Sequence, residues 1–361
     1  MRSHFQISSR RCLTDCLSRV ISRYCNVRKL YLILLGVIIT GNCVAQFGGR
    51  NSYEFLNVPS NARLAGLGGV NVSLADRDVN FFFSNPALVT DSLDGFASAG
   101  YTFYVGDIGQ ATFSYAHSFK QIGAVSFGVQ HLSYGEIQGY DASGAEIGSY
   151  QSGETALVIS KSHTVSVFTL GINLKGIFSS IAGYRSSALL ADIGGTFKHP
   201  KKDLTIGLVI KNFGVVLSEY SESSNTQLPF DVQAGVTFKP QHMPLRFSLA
   251  AYNLAYPGDA YNDGNDSENN PGTLSKIMQH INFGAEVLLH KNVNVLLGYN
   301  VLKKTELKTD NQGGGITFGA SIRVKAFDIA FSRSGYSVSN AAYSFTLAAN
   351  LNKMILKKRR I

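Results

Sequence analysis

From about residue 96 to residue 351 the apolar positions recur every second residue, which is the signature of strands with unlike faces. In 168–174, Phe168, Leu170, Ile172 and Leu174 alternate with Thr169, Gly171 and Asn173. In 203–211, Leu204, Ile206, Leu208 and Ile210 alternate with Thr205, Gly207 and Lys211, and 342–351 repeats the pattern from Tyr343 to Leu351. The second face is small and polar rather than rich in Lys and Glu, as the lumen of a barrel would be. Marking each such segment predicts fourteen strands at 96–105, 109–119, 122–132, 153–162, 165–178, 187–197, 203–212, 228–238, 244–254, 279–289, 292–302, 314–324, 326–334 and 342–351. Most are about ten residues long, the length of a tilted membrane-crossing strand.

The connections follow a second rule. After every even-numbered strand they are short, as at Lys120-Gln121, His163-Thr164, His290-Lys291 and Lys325. On the other side most are long: 133–152, 213–227, 255–278, 303–313 and 335–341. Short turns at one end and long loops at the other are the outer-membrane pattern, the short turns being periplasmic. The predicted fold is therefore all-β, a 14-stranded antiparallel transmembrane β-barrel over 96–352. A soluble β-sandwich is the competing reading.

Composition agrees. Only 16% of the 361 residues are charged, against 45% hydrophobic and 36 glycines, with a mean hydropathy of +0.04. A soluble domain carries about 25% charge, and a disordered chain needs low hydrophobicity with high net charge. The formal charge of +9 sits at the ends. Residues 1–45 hold seven basic residues against Asp15 alone, a surplus of six, and the last nine residues hold five basic residues and no acid. The remainder is left at −2, so the basic balance does not point to nucleic acid.

Basic residues end at Arg28 and Lys29, an apolar run follows from Leu30 to Ile39, and Cys43-Val44-Ala45 precedes Gln46. This reads as a signal peptide over 1–45 cleaved between Ala45 and Gln46, with a long basic leader that leaves the start codon open. An N-terminal membrane anchor is the alternative. All four cysteines lie before the cut, so the mature chain would have no disulfide, Cys-zinc site or catalytic thiol.

Residues 46–95 lack the strand pattern. They contain Asn61-Ala62-Arg63, then Leu67-Gly68-Gly69, Asp76-Arg77-Asp78 and Asn85-Pro86-Ala87. The glycines do not follow the phosphate-loop order G-x-x-x-x-G-K-[ST]. Asn85 before Pro86 is a helix start. A non-spanning segment ahead of such a barrel is expected to fold into the lumen as a plug.

These motifs, with Asn61, Arg63, Gly68, Gly69, Asp78, Asn85, Pro86 and Ala87 in this order, resemble the N-terminal hatch signature of FadL-type barrels, closest to the PorV/PorQ branch of Bacteroidota. Lys211-Asn212-Phe213-Gly214, Leu228-Pro229-Phe230-Asp231-Val232, Phe283-Gly284-Ala285-Glu286 and Leu297-Gly298-Tyr299-Asn300 extend the similarity along the mature chain, toward PorQ in particular. The resemblance implies a non-enzymatic outer-membrane component of the type IX secretion system. Its partners would be outer-membrane lipid, other secretion components and cargo bearing a C-terminal sorting domain. The basic tail 353–361 departs from the aromatic ending of many barrels. The alternative function is a FadL-like channel for a hydrophobic small molecule.

Candidate chemistry is sparse. The histidines are scattered without a metal-binding or catalytic spacing, and no nucleophile–base pair is evident. No catalytic residue, metal or cofactor is predicted. Asp259, Asp263, Asp266 and Glu268 could offer oxygen ligands to Ca²⁺, but a solvated loop is the simpler reading. Asn173, Lys175, Lys211, Asn282, Glu286 and Asn300 fall on the lumen face, where they would line a passage or pair with the plug, since buried charges need partners.

Overall fold

The computed structural model describes residues 51–256, 273–306, 314–335 and 341–358. Residues 1–50, with the expected cleavage site at Ala45 and Gln46, and the acidic residues Asp259, Asp263, Asp266 and Glu268 lie outside them.

Fourteen antiparallel strands close into one barrel in sequence order, β1 returning to β14. They are β1 (Phe96–Phe103), β2 (Gly109–Phe119), β3 (Gly123–Tyr140), β4 (Glu146–Val165), β5 (Phe168–Ile181), β6 (Tyr184–Lys198), β7 (Asp203–Ser218), β8 (Asp231–Lys239), β9 (Leu245–Ala251), β10 (Ile281–His290), β11 (Val293–Asn300), β12 (Ile316–Val324), β13 (Phe327–Gly335) and β14 (Ala341–Asn350). The seam pairs Phe96 with Asn350 and Phe103 with Tyr343. Closure leaves no strand edge along the seam, so the ladder groups there are satisfied inside a membrane.

Alternation decides what each face meets. Leu170, Ile172 and Leu174 are exposed on the outside of β5, while Thr169 and Asn173 are buried inside. Outward aromatics cluster: Phe331 lies 4.9 Å from Phe345, and Tyr101 lies 4.6 Å from Phe103. Nearer the short turns, Phe168 meets Phe197 at 5.3 Å and His117 meets Phe119 at 4.5 Å. Aromatic belts of this kind sit at the two membrane interfaces.

Two stretches differ from the expected loops. Most of 133–152 is strand: β3 and β4 continue upward with Ile137 facing Tyr150 and Gly139 facing Gly148, through register shifts after Ser133 and Gly139. This part is rich in glycine and polar residues and shows no clean alternation, so its pairing is not visible locally. Likewise β7 runs to Ser218 along β6, with a register shift at Ala191/Ile193, and the turn between β4 and β5 falls at 166–167 rather than at His163-Thr164. Part of the basic tail is helical, Leu351–Lys358, and Asn352 donates to Asp94 below β1 at 2.7 Å.

Residues 51–95 form no strand of the barrel. They fold as a short helix α1 (Ala62–Gly66) and 3-10 turns at Val79–Phe83 and Pro86–Leu88, and they bond to inward-facing groups around the ring.

Candidate functional site: the plug and the wall that holds it

The plug meets the wall in two ways. On one side α1 packs against β10–β14 through many polar contacts, with Leu64 and Leu67 also packed on Leu296 of β11. Asn61 caps the helix, its Oδ1 accepting from Leu64 N at 2.7 Å while its amide donates to Asp78. The exposed end of the backbone is then passed to the wall. Ala62 N donates to Thr346, Thr317 donates to Gly66 O, and Asn282 donates to Leu67 O and Val70 O at 2.9 and 2.7 Å. Asn300 donates to Gly68 O and accepts from Tyr252.

Gly68 and Gly69 end α1 with φ of +93° and +96°, a conformation that side chains other than glycine's disfavour. Gly68 also has no room: a Cβ would lie 2.0 Å from Asn282 Oδ1. On the wall, a Cβ on Gly298 would meet Gly68 N at 2.2 Å.

An ion network lies beneath α1. Arg63 donates from Nε to Glu286 on β10 and from Nη2 to Asp76 in the plug, both at 2.8 Å. Arg246 on β9 bridges the same two carboxylates at 2.7 and 2.9 Å. Two guanidinium groups and two carboxylates thus balance, which is what makes burial of the set tolerable. Burial of Asp76 favours its neutral form, but Arg63 and Arg246 overcome this and hold its carboxyl well below the usual range. Burial also opposes the charge on Arg63, yet Glu286, Asp76 and Asp78 keep it firmly protonated. For Asp78 burial dominates and raises the carboxyl, with Arg63 and the bonds from Asn80 opposing.

The other side is apolar. Phe55, Val79, Phe82, Phe83, Val89 and Leu93 of the plug pack against Leu132, Val158, Ile177 and Leu190 of β3–β6. Phe82 and Phe83 stack at 4.3 Å. The inward faces of 203–211 and 342–351 are small and polar, but β3–β6 present large apolar residues to the lumen as well, which the alternation in those first examples does not reveal. Asn85 closes this side: it caps the turn by accepting from Ala87 N and donates to Val72 O at 2.9 Å. Pro86 and Ala87 lie against Gly171, where a Cβ would be 2.5 Å from Pro86 C.

The remaining lumen residues differ in role. Asn173 donates to Phe82 O and to Asp192. Lys175 pairs within the wall, with Asp192 at 2.8 Å and Asn212 at 2.7 Å. Lys211 is buried beside the plug without a hydrogen bond among the described residues. Sequence reading left out Arg246, Asp192 and Asn80, which bonds Asp78, Ser98 and Ser114. Inward parity in a strand was the available signal for Arg246 and Asp192.

Two cavities against the plug are small. One of about 60 Å³ near the short turns is lined by Arg63, Asp76, Arg77 and Asp78 from the plug, and one of about 20 Å³ lies near β7 and β8. A larger concavity, about 740 Å³, lies at the long-loop end along β3–β6 and is lined mainly by Ser, Gly, His131, Glu136 and Arg185.

Neither a protein-family profile nor an individual characterised sequence matches the chain. Among solved structures it is similar to the CymD monoaromatic hydrocarbon channel, at 11% identity over 81% of this chain and 96% of that one, TM-score 0.47. The TodX monoaromatic hydrocarbon channel deltaS2 mutant gives 11%, 80%, 96% and 0.47. A Pseudomonas aeruginosa FadL homologue gives 12%, 81%, 98% and 0.43. At 11–12% identity the likeness is one of barrel fold alone.

Proposed function

We propose that the protein is a plugged, non-enzymatic outer-membrane barrel that acts through protein contacts as a component of type IX secretion. The observation behind this is the closed lumen. The plug is bonded to the wall on one side and packed into it on the other. The two cavities described against it, about 60 and 20 Å³, hold water-sized bodies rather than an acyl chain. The hatch-like residues Asn61, Arg63, Gly68, Gly69, Asn85, Pro86 and Ala87 are those that fasten the plug, and the surfaces left for partners are the two ends of the barrel. The partners in this reading are other secretion components and cargo with a C-terminal sorting domain.

A second reading is a channel for a hydrophobic small molecule. It is favoured by the apolar cluster between the plug and β3–β6, which would line a route if the plug shifted. The solved structures named above that are described as monoaromatic hydrocarbon channels lean the same way.

Deletion of the gene in its host separates the two. Release or periplasmic trapping of sorting-domain cargo, with fatty-acid uptake unchanged, supports the secretion role. Normal cargo with reduced uptake supports the channel and rejects secretion.

A further inference from the structure

The concavity of about 740 Å³ at the long-loop end takes no part in holding the plug. Its lining shows that it opens on the outside of the barrel. Leu132, Glu154, Ile177 and Ser186 are buried on the inward face, the last bonded to Tyr53 of the plug. Side chains alternate along a strand, so His131, Ser133, Thr155, Phe178 and Arg185, which line the concavity, face outward. The large inward side chains at this height, Tyr134, Glu154 and Tyr220, do not border it.

Strand register sets this face in two rows. Ser133, Gly153, Ser180 and Arg185 are neighbours across β3–β6, and one step nearer the short turns stand His131, Thr155, Phe178 and Ser187. The small residues leave a hollow bounded by His131, Phe178 and Arg185. Register shifts flank it, after Ser133 on β3 and between Ser187 and Ala188 on β6, and such shifts bend strands.

Height identifies the surroundings. Phe168 lies in the belt near the short turns, and Phe178 stands ten residues further along β5. A strand rising ~3.3 Å per residue and tilted ~40° covers about 25 Å in that distance, the height of the apolar band. The hollow therefore begins where hydrocarbon ends, at the headgroups of the leaflet on the long-loop side. Beneath it the outward residues are aliphatic. Leu157 and Leu189 flank Gly176, and the nearest atom to a Cβ there would be Phe178 at 3.7 Å, which leaves an open slot.

The lining sets the chemistry. Arg185 is exposed and makes no ion pair or hydrogen bond among the described residues. Glu136, the carboxylate in the lining, accepts from Ser149 instead. A guanidinium meets phosphate through a planar fork of donors, and the hydroxyls of Ser180 and Ser187 suit a polyhydroxylated neighbour. The volume falls in the range of sites for drug-sized ligands, far beyond the needs of a phosphate ion.

We propose that this face binds a phosphorylated glycolipid of the outer leaflet. Its sugar–phosphate head fills the hollow with a phosphate on Arg185, and an acyl chain lies in the slot over Gly176. The site concerns the outer surface of the barrel, so it stands whichever function the lumen serves.

Native mass spectrometry of the intact, delipidated protein in detergent tests this, with diphosphoryl lipid A, phosphatidylglycerol and glucosamine 1-phosphate as probes. One lipid A is expected to bind in preference to both other probes. Arg185→Glu should weaken it about tenfold or more, since a charge-assisted pair is lost. Ser187→Trp, which fills the hollow, should weaken it as well, while Lys198→Glu, exposed at the short-turn end, should not. Heat-dependent gel mobility confirms that each variant is a folded barrel. Equal binding of phosphatidylglycerol rejects the glycolipid in favour of any anionic lipid. Equal binding of glucosamine 1-phosphate rejects a lipid in favour of a soluble sugar phosphate. Lipid A binding that survives Arg185→Glu, or that falls as much in Lys198→Glu, overturns the site.

Discussion

The two sides of the plug are held by different physics. The α1 side relies on directed bonds: Asn282, Asn300, Thr317 and Thr346 from the wall, and the Arg63–Asp76–Arg246–Glu286 network beneath. The 79–93 side relies mainly on area, with Phe82, Phe83 and Val79 buried against β3–β6, supplemented by bonds from Asn173 and Ser162 to the carbonyls of Phe82 and Val89. Directed bonds depend on register, charge and pH. Apolar packing depends on volume and is indifferent to pH. The contrast teaches that one segment can be fixed in position by its polar face and stabilised by its apolar face, and that either can be weakened alone.

The largest effect is expected where the wall itself would enter the plug. Gly298→Val drives a side chain into the backbone at Gly68, and Gly171→Val into that at Pro86. Both should displace the plug and make residues 51–95 sensitive to protease in the folded barrel. Gly176→Ala, whose nearest neighbour is Phe178 at 3.7 Å, serves as control and should change nothing. Equal protease resistance in all three would contradict the packing described.

Next comes Phe82→Ala. Removing a buried aromatic costs about 3–5 kcal/mol, all of it on the apolar side and independent of pH. The loss would be read as earlier release of the plug in a denaturant series, at neutral and mildly acid pH alike.

Arg63→Met should cost on the order of 3 kcal/mol, because it leaves Glu286 and Asp76 to share Arg246. It also predicts a pH signature. The folded pKa of Asp76 is depressed, so its contribution is fully present above the unfolded value near ~4 and is lost as pH falls below it. Acid should therefore loosen the plug of the wild type on the α1 side, and this sensitivity should shrink in Arg63→Met. An unaltered acid response in the variant would show that the network does not set it.

The smallest effect expected is that of Ser73→Ala, which removes a single bond to Thr237 of 2.8 Å. It should cost about 1 kcal/mol and leave both protease resistance and pH response in place.

These contrasts also mark what could be read from the chain. The closed barrel of fourteen strands was legible because strand side chains alternate: Leu170, Ile172 and Leu174 face out wherever the partner strands lie. The upper part of β3 and β4 was not, since Gly135, Gly139 and Gly148 interrupt any pattern and the pairing is known only from the partner. The inward polar residues could be selected by parity, but not their partners. Arg63 meets Glu286 across 223 residues of sequence, and only closure of the ring brings them together. Asn85 and Pro86 were legible as a cap because capping is local. The apolar lumen wall was missed because Leu132, Val158, Ile177 and Leu190 are isolated apolar residues on otherwise polar inward faces, and only the pairing of β3–β6 brings them together.

The central claim is that the plug closes the barrel, and ion conductance across a planar bilayer tests it most directly. The intact protein should be nearly silent, and a variant lacking residues 46–95 should conduct steadily. Large steady currents from the intact protein, unchanged by removal of those residues, would contradict it.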